Sequence, residues 1–202
     1  MFALVQDGSI TKYFSGNQAI TLGDIQYPKQ IFTLWTKAER EAIGIYEVVW
    51  DNTNKKEEQW YINTDVSYAF GNGKVTASYG SATAKPHADI LFTAQDESDG
   101  KGTEGEVHER GLKYNLIQKV KKEAAGELQN TDWYIVRKAD AGTAVPSVIT
   151  THRAAVRTKC AEMETAITNA ADTPALETLY TYTEQEDGSV TRPLGELPTL
   201  ES

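Results

Sequence analysis

The histidines, the cysteine and the carboxylates are the side chains best able to do chemistry here, and their spacing matches no usual site. The three histidines are His87, His108 and His152, and they lie far apart in the chain. His108 precedes Glu109, but the second histidine one helical turn away, which a zinc-protease helix requires, is missing. We therefore expect no metal site, and histidines that face solvent.

The single cysteine and the motif inventory also favour a protein without catalysis. Cys160 lies on an apolar helical stripe, where a free thiol usually packs as a small hydrophobe. The chain contains neither a Gly-x-x-x-x-Gly-Lys phosphate loop nor a Gly-x-Ser-x-Gly nucleophile elbow. No two carboxylates stand out as an acid/base couple, although such pairs can be distant in sequence. We therefore expect no catalytic residue and no cofactor.

Aromatic residues of the N-terminal half are suited either to stacking on sugar rings or to filling the core of a sheet. The set comprises Trp50, Trp60, Tyr61, Tyr68, Phe70 and Tyr79. Alternation along one predicted strand puts Trp60, Tyr68 and Phe70 on the same face, which favours core packing. A carbohydrate-binding module that recognises a host surface glycan through this face is the alternative function, with Trp60 as its test residue.

The C-terminal half contains a more specific group, Thr131-Asp132-Trp133 followed by Arg153 and Arg157. The two arginines are one helical turn apart, so both face the same way. Asp132 is well placed to meet one of them across a helical hairpin. Trp133 is well placed to cover the open end of that hairpin, burying about 200 Å². We expect Asp132, Trp133, Arg153 and Arg157 either to stabilise the hairpin or to contact a partner.

Local signals predict β structure in the N-terminal half. Asp7-Gly8 and Gly71-Asn72-Gly73 indicate hairpin turns, because glycine accepts positive φ without steric cost. Thr36 and Glu39 form a capping box that begins a short helix, and Gly44 suits its C-terminal end.

Apolar periodicity predicts helices in the C-terminal half. Residues recurring every four positions favour a helix over 106–130. Its apolar face consists of Leu112, Leu116, Val120, Ala124 and Leu128. A second stripe, typical of an antiparallel partner, consists of Ile149, Val156, Cys160, Met163, Ile167 and Ala170. Pro146 suits the first turn of that second helix, and Thr173-Pro174 opens a short third helix that ends at about Tyr180.

These signals together predict an α+β fold. We expect an N-terminal antiparallel β-rich domain over 1–80, followed by a C-terminal helical hairpin with a short third helix over 106–182. Residues 81–105 are predicted to be a linker, because four acidic residues and three glycines within 96–105 disfavour packing. Residues 183–202 are predicted to form an extended acidic tail.

The charge balance excludes several classes of partner. The 202 residues include 20 basic and 29 acidic side chains, a net charge of −9. Nucleic acid and anionic membranes repel such a chain, so we expect neither as a partner. No apolar stretch approaches the roughly 18 residues of a membrane span, and no signal peptide is visible at the start. Residues 106–170 differ from the rest, with 10 basic and 8 acidic side chains.

The order of features over about 107–170 resembles the phage tail assembly chaperone family, and also the C-terminal part of phage tail-fibre-associated proteins. The shared features are the long helix, Thr131-Asp132-Trp133, the Val145-Pro146 hinge, and the helix that carries Arg153 and Arg157. His152 stands where the family often has tyrosine.

The N-terminal half resembles the β-rich front half of such phage proteins more weakly, through Glu39-Arg40 and Gly44-Ile45-Tyr46. The resemblance implies a non-enzymatic bacteriophage tail protein that acts in tail or tail-fibre assembly or is built into the virion. It implies other phage tail proteins as partners, and a location in the virion or in the infected host cytoplasm.

A physical argument independent of the family favours docking over catalysis. Domains below about 70 to 80 residues seldom bury a large core, so a hairpin with one further short helix would be marginal alone. Exposed positions on its apolar stripes would then require a partner, either another protein or a second copy of the chain.

Overall fold

The computed structural model describes residues 1–200, which divide into two compact units at residues 83 and 84. The first unit is β-rich, with two short helices. Its elements, in chain order, are β1 (Phe2–Gln6), β2 (Ser9–Phe14), β3 (Ile20–Leu22), β4 (Ile25–Tyr27), α1 (Ile31–Leu34), α2 (Lys37–Ala42), β5 (Ile45–Asp51), β6 (Tyr61–Ile62), β7 (Ser67–Gly71), β8 (Lys74–Ser78) and, at the boundary, β9 (Thr83–Ala84).

The main sheet of the first unit has five strands in the order β2-β1-β5-β8-β7. Neighbouring strands are antiparallel except β5 and β8, which run parallel. The prediction of an antiparallel domain is therefore wrong. A parallel pair requires a long crossover connection, and the chain between β5 and β8 provides one because it includes a polar loop, β6 and β7.

The predicted turns and the predicted cap are confirmed. Asp7 and Gly8 have φ of 50° and 74°, and Asn72 and Gly73 have φ of 50° and 69°, as type I′ hairpin turns require. The side chain of Thr36 accepts from the backbone of Glu39, whose carboxylate accepts from the backbone of Thr36. These elements form where predicted because their hydrogen bonds and torsions are local.

The aromatic strand predicted from Trp60 to Phe70 is interrupted. Asp65 adopts a left-handed φ of 58° between β6 and β7, which ends the regular alternation. Trp60 and its neighbour Tyr61 are both buried, at 2% and 6% exposure. Tyr68 and Phe70 pack instead against a small core of Ala3, Val48, Val75 and Ala77. A second core lies under α1 and consists of Leu4, Phe14, Ile20, Ile31, Phe32 and Ile45.

The second unit is mainly helical. Its elements are β10 (Ile90–Leu91), α3 (Ala94–Ser98), β11 (Val107–Glu109), α4 (Leu112–Gln129), α5 (Asp132–Ala141), α6 (Ser147–Asn169), α7 (Thr173–Tyr180), β12 (Thr183–Glu184) and β13 (Val190–Thr191). The two apolar stripes predicted from the sequence face each other between α4 and α6. Lys113 Nζ donates to the Thr168 carbonyl at 2.8 Å, and Lys121 pairs with Glu164 at 3.1 Å, so the two helices are antiparallel.

The predicted fold class is too simple for the chain. Residues 1–200 form seven helices and thirteen strands in several sheets, rather than a β domain with a hairpin and one short helix. The helix predicted from residue 106 begins at Leu112, and β11 precedes it. The helix α5 was not predicted, because the segment from Asp132 interrupts the four-residue apolar spacing of α4.

The stretch predicted as a linker, 81–105, contains β10 and the capped helix α3. Its acidic residues make local bonds: Asp96 accepts from the backbone and hydroxyl of Thr93 at 3.0 and 2.7 Å, and pairs with Lys101 at 3.3 Å. The stretch predicted as an extended tail contains the short hairpin of β12 and β13. Within residues 1–200, no helix combines the length and the apolar character needed to cross a bilayer.

Candidate functional site

Arg153 lies at the centre of the predicted group, on α6, with its side chain 8% exposed. Its Nη1 donates to the carbonyl of Leu128 at 2.8 Å and to Oγ1 of Thr131 at 2.6 Å. The same nitrogen lies 2.8 Å from Oδ1 of Asp132. One guanidinium therefore binds the end of α4, the turn and the start of α5.

The turn between α4 and α5 is shaped to receive this guanidinium. Thr131 is buried, and both its backbone N–H and its hydroxyl donate to the Leu128 carbonyl, at 3.0 and 2.8 Å. The hydroxyl oxygen of Thr131 then remains available to accept from Arg153. No separate role was predicted for Thr131, and the available signal was a threonine three residues after Leu128, the last apolar position of α4.

Arg157 has a different environment although it is one turn from Arg153. Its side chain is exposed, and its Nη1 lies 3.4 Å from the backbone carbonyl of Arg153. Asp132 was expected to meet one of the two arginines, and the structure shows that it meets Arg153. Arg157 therefore projects a cation toward solvent beside this contact.

The expectation that Trp133 covers the hairpin is wrong, because its side chain is 52% exposed. Consecutive residues on a helix point about 100° apart, so the orientation that brings Asp132 to Arg153 turns Trp133 outward. The Trp133 ring packs on Tyr134 at 4.2 Å between centroids. The guanidinium of Arg137 covers both rings, at 4.5 and 5.5 Å.

Every residue of α5 is at least partly exposed, including three large apolar side chains. Ile135 is 42% exposed and Val136 is 65% exposed. Trp133, Val136 and Arg137 have the spacing of one helix face. We call this side of α5, formed by the exposed Trp133 and Val136 and the half-buried Arg137, the α5 face.

The residues considered for catalysis or metal binding are placed apart from one another. His152 is buried, contrary to the expectation that it faces solvent, and its Nε2 has no hydrogen-bond partner among the described residues. Burial, followed by the hydrogen bond to Glu164, raises the pKa of Cys160 and so disfavours a nucleophilic thiolate. Residues 1–200 contain no group of three or more His, Cys, Asp or Glu side chains arranged to bind a metal.

The aromatic residues of the first unit divide into core and surface. Trp60 belongs to the interior, so its ring is not available to stack on a glycan. Trp50 is 44% exposed and lies against Tyr79, with 5.2 Å between ring centroids. Lys55 Nζ lies over the ring of Tyr79, 5.8 Å from its centroid. Asn54 Nδ2 donates to the backbone carbonyl of Tyr79 at 3.1 Å.

Comparison with protein-family models, with curated proteins and with solved structures found no match. The geometry itself describes an exposed aromatic and aliphatic helix whose first turn is bound to a buried arginine.

Proposed function

We propose that the protein is a non-enzymatic docking protein that binds another protein through the α5 face. The observation that carries the proposal is that α5, a ten-residue helix, exposes every residue at least partly. Isolated helices shorter than about 12 to 15 residues are marginal in water, because most helical stability comes from packing an apolar face. A partner that covers Trp133 and Val136 would supply that packing.

The contacts of Arg153 support a docking role because they hold the start of α5 in one orientation before any partner arrives. A surface that is already ordered loses less conformational entropy on binding than a mobile one. Tryptophan and arginine are also the side chains that most often dominate the binding energy of interfaces, and Trp133 and Arg137 are stacked together here.

For the biological setting, we propose tail or tail-fibre assembly in a bacteriophage, with another tail protein as the partner. This part of the proposal is supported by the sequence resemblance over about 107–170. Under this proposal the protein is either an assembly chaperone or a component of the virion. Mass spectrometry of purified particles separates them, because a chaperone should be missing and a component should be present at fixed stoichiometry.

The test of the α5 face is the substitution Trp133→Ala. Since the ring is half exposed, we expect the free energy of unfolding to change by about 0.5 kcal/mol or less, as for other surface positions. We expect co-purification with tail proteins to fall at least tenfold, because truncating an interfacial tryptophan can cost about 2 kcal/mol or more.

The matched control is Val190→Ala, an exposed apolar residue outside the α5 face. It should leave both stability and co-purification at the wild-type level. If Trp133→Ala and Val136→Asp both co-purify as well as the wild-type chain does, the α5 face is not the docking surface.

Carbohydrate binding is the second candidate function, and the exposed stack of Trp50 on Tyr79 is the observation that favours it. An exposed ring beside polar side chains is suited to covering the apolar face of a sugar. Glycan-array binding that Trp50→Ala abolishes, with the fold intact, would support it. Trp60→Ala is not a useful probe, because removing a buried ring damages the core.

A further inference from the structure

The last part of the described chain, residues 192–200, lies without regular secondary structure against the helices of the second unit, and we call it the strap. Leu194 is its anchor: the side chain is 2% exposed, and its N–H donates to the carbonyl of Leu179 in α7 at 3.0 Å. Gly195 follows with a φ of 72°, and a Cβ there would lie 2.6 Å from Nζ of Lys159 on α6. The strap therefore contacts both α6 and α7 closely.

Arg192 fixes the first half of the strap. Its Nε and Nη2 each lie 2.8 Å from a different oxygen of Glu196. The guanidinium also lies over the rings of Tyr180 and Tyr182, at 5.3 and 5.2 Å. Tyr182 donates its hydroxyl to Glu196 at 2.6 Å. These contacts, together with the burial of Leu194, require arginine, leucine and glutamate at alternate positions 192, 194 and 196 of the strap.

The second half of the strap fills its surroundings incompletely. Leu197 and Pro198 are half-buried, while Thr199 and Leu200 are exposed. A cavity of about 480 Å³ lies between the strap and the helical residues Glu123, Gly126, Glu127 and Met163. A second cavity, of about 430 Å³, lies between its end and α6, including Val148, Thr151, His152 and Ala155. The groove is thus wider than the segment that occupies it.

The connection from α7 to the strap is suited to opening. Residues 181–191 are all exposed, and β12 and β13 contribute only two residues each. Moving this connection away from the helices would remove no buried side chain.

We propose that the groove formed by α4, α6 and α7 binds the strap of a second copy of this chain, by exchange of residues 192–200 between copies. An exchanged strap makes the same contacts with Leu179, Tyr180 and Lys159 that it makes within its own chain, so exchange has little intrinsic cost. The connection 181–191 keeps the chain's own strap near the groove, at an effective concentration of about millimolar, and so favours binding within one chain. Copies held close together in an assembly reach a comparable local concentration, and strap exchange would then link them.

The test uses the full-length chain with Leu194→Asp, which disfavours the chain's own strap in the groove. A fluorescent peptide of residues 190–200 is titrated against it and followed by fluorescence anisotropy. We expect saturable binding to the Leu194→Asp chain, and binding at least tenfold weaker to the wild-type chain, whose own strap competes. The same peptide carrying Leu194→Asp should not bind. Val190→Asp, an exposed change outside the strap, should behave as wild type.

Gly195→Ala and Arg192→Ala provide a second route if Leu194→Asp fails to fold, because both loosen the strap without placing a charge in the interior. Each should bind the peptide more tightly than the wild-type chain does, and the wild-type chain should dimerise at high concentration in light scattering while Leu194→Asp stays monomeric. The proposal is overturned if no folded variant binds the peptide, or if wild type and variants bind it equally. Neither result bears on the α5 face, which is tested with different residues.

Discussion

Arg153 and Arg157 show how differently two residues of one type and one helical face are used. Arg153 is buried and binds three oxygens, whereas Arg157 is exposed. The difference arises because the α4–α5 turn ends opposite Arg153, and one further helical turn carries Arg157 past it. Arg153, with three partners, is expected to stabilise the fold, whereas the solvent-exposed charge of Arg157 remains accessible to a binding partner.

Arg153→Ala should lower the free energy of unfolding by about 1.5–3 kcal/mol, because hydrogen bonds to charged groups contribute on that order. Arg157→Ala is the matched control and should change it by about 0.5 kcal/mol or less. Asp132→Ala should cost at most about 1 kcal/mol, since the carboxylate is exposed and water screens its ion pair. Chemical denaturation of the three variants measures this, and equal losses at both arginines would contradict the assignment.

At the scale of elements, α3 shows how local hydrogen bonds order an acidic stretch. Hydrogen bonds from the hydroxyl and backbone of Thr93, then from Lys101, lower the pKa of Asp96 to about 2. The stretch was predicted to be a linker from its composition alone. Composition does not predict the two features that order this stretch, which are the capping box of α3 and the pairing of β10 with β11.

The stability of the α3 cap should depend on pH over a defined acidic range. The pKa of Asp96 is lower in the folded state than its ordinary value of 3.8, so the stabilisation by its carboxylate is complete above about pH 4 and is lost as the pH falls through about 2. Carboxyl carbon NMR should show Asp96 titrating near pH 2, and the amide protection of Ala94–Ser98 should fall over the same range. Asp96→Asn should remove this pH dependence; an Asp96 that titrates near 4 would show that the cap does not form in solution.

On the scale of the whole molecule, each unit has a hydrophobic core of its own. Ile45 is fully buried in the first unit, and Ile167 is fully buried on α6 in the second. Since each unit buries side chains of its own, we expect loss of packing in one unit to accelerate hydrogen exchange mainly in that unit.

Ile45→Ala should destabilise the first unit by about 2–5 kcal/mol, the usual range for removing a buried isoleucine side chain. Hydrogen exchange followed by mass spectrometry should show faster exchange over 1–83 and unchanged protection in α4 and α6. Ile167→Ala is the reciprocal variant and should accelerate exchange in α4 and α6 alone. Faster exchange in both units from either substitution would mean that the two units unfold together.

The sequence by itself determined the features that depend on neighbouring residues. The turns at Asp7-Gly8 and Asn72-Gly73, the capping box of Thr36 and the third helix from Thr173 to Tyr180 all form where they were predicted. The apolar stripes of α4 and α6 also pack as their periodicity indicates. Backbone torsions, capping hydrogen bonds and helical period act over a few residues, so residue types and spacing are sufficient to specify them.

Only the tertiary structure decided the features that depend on distant parts of the chain. The parallel pairing of β5 with β8, the choice of Arg153 over Arg157 and the outward position of Trp133 each follow from where another element lies. The helix α5 was missed because its segment interrupts the four-residue apolar spacing of α4, and its own apolar residues are exposed rather than packed on another helix. Burial and long-range pairing are properties of contacts between segments, and residue spacing along one segment does not encode which segment it will meet.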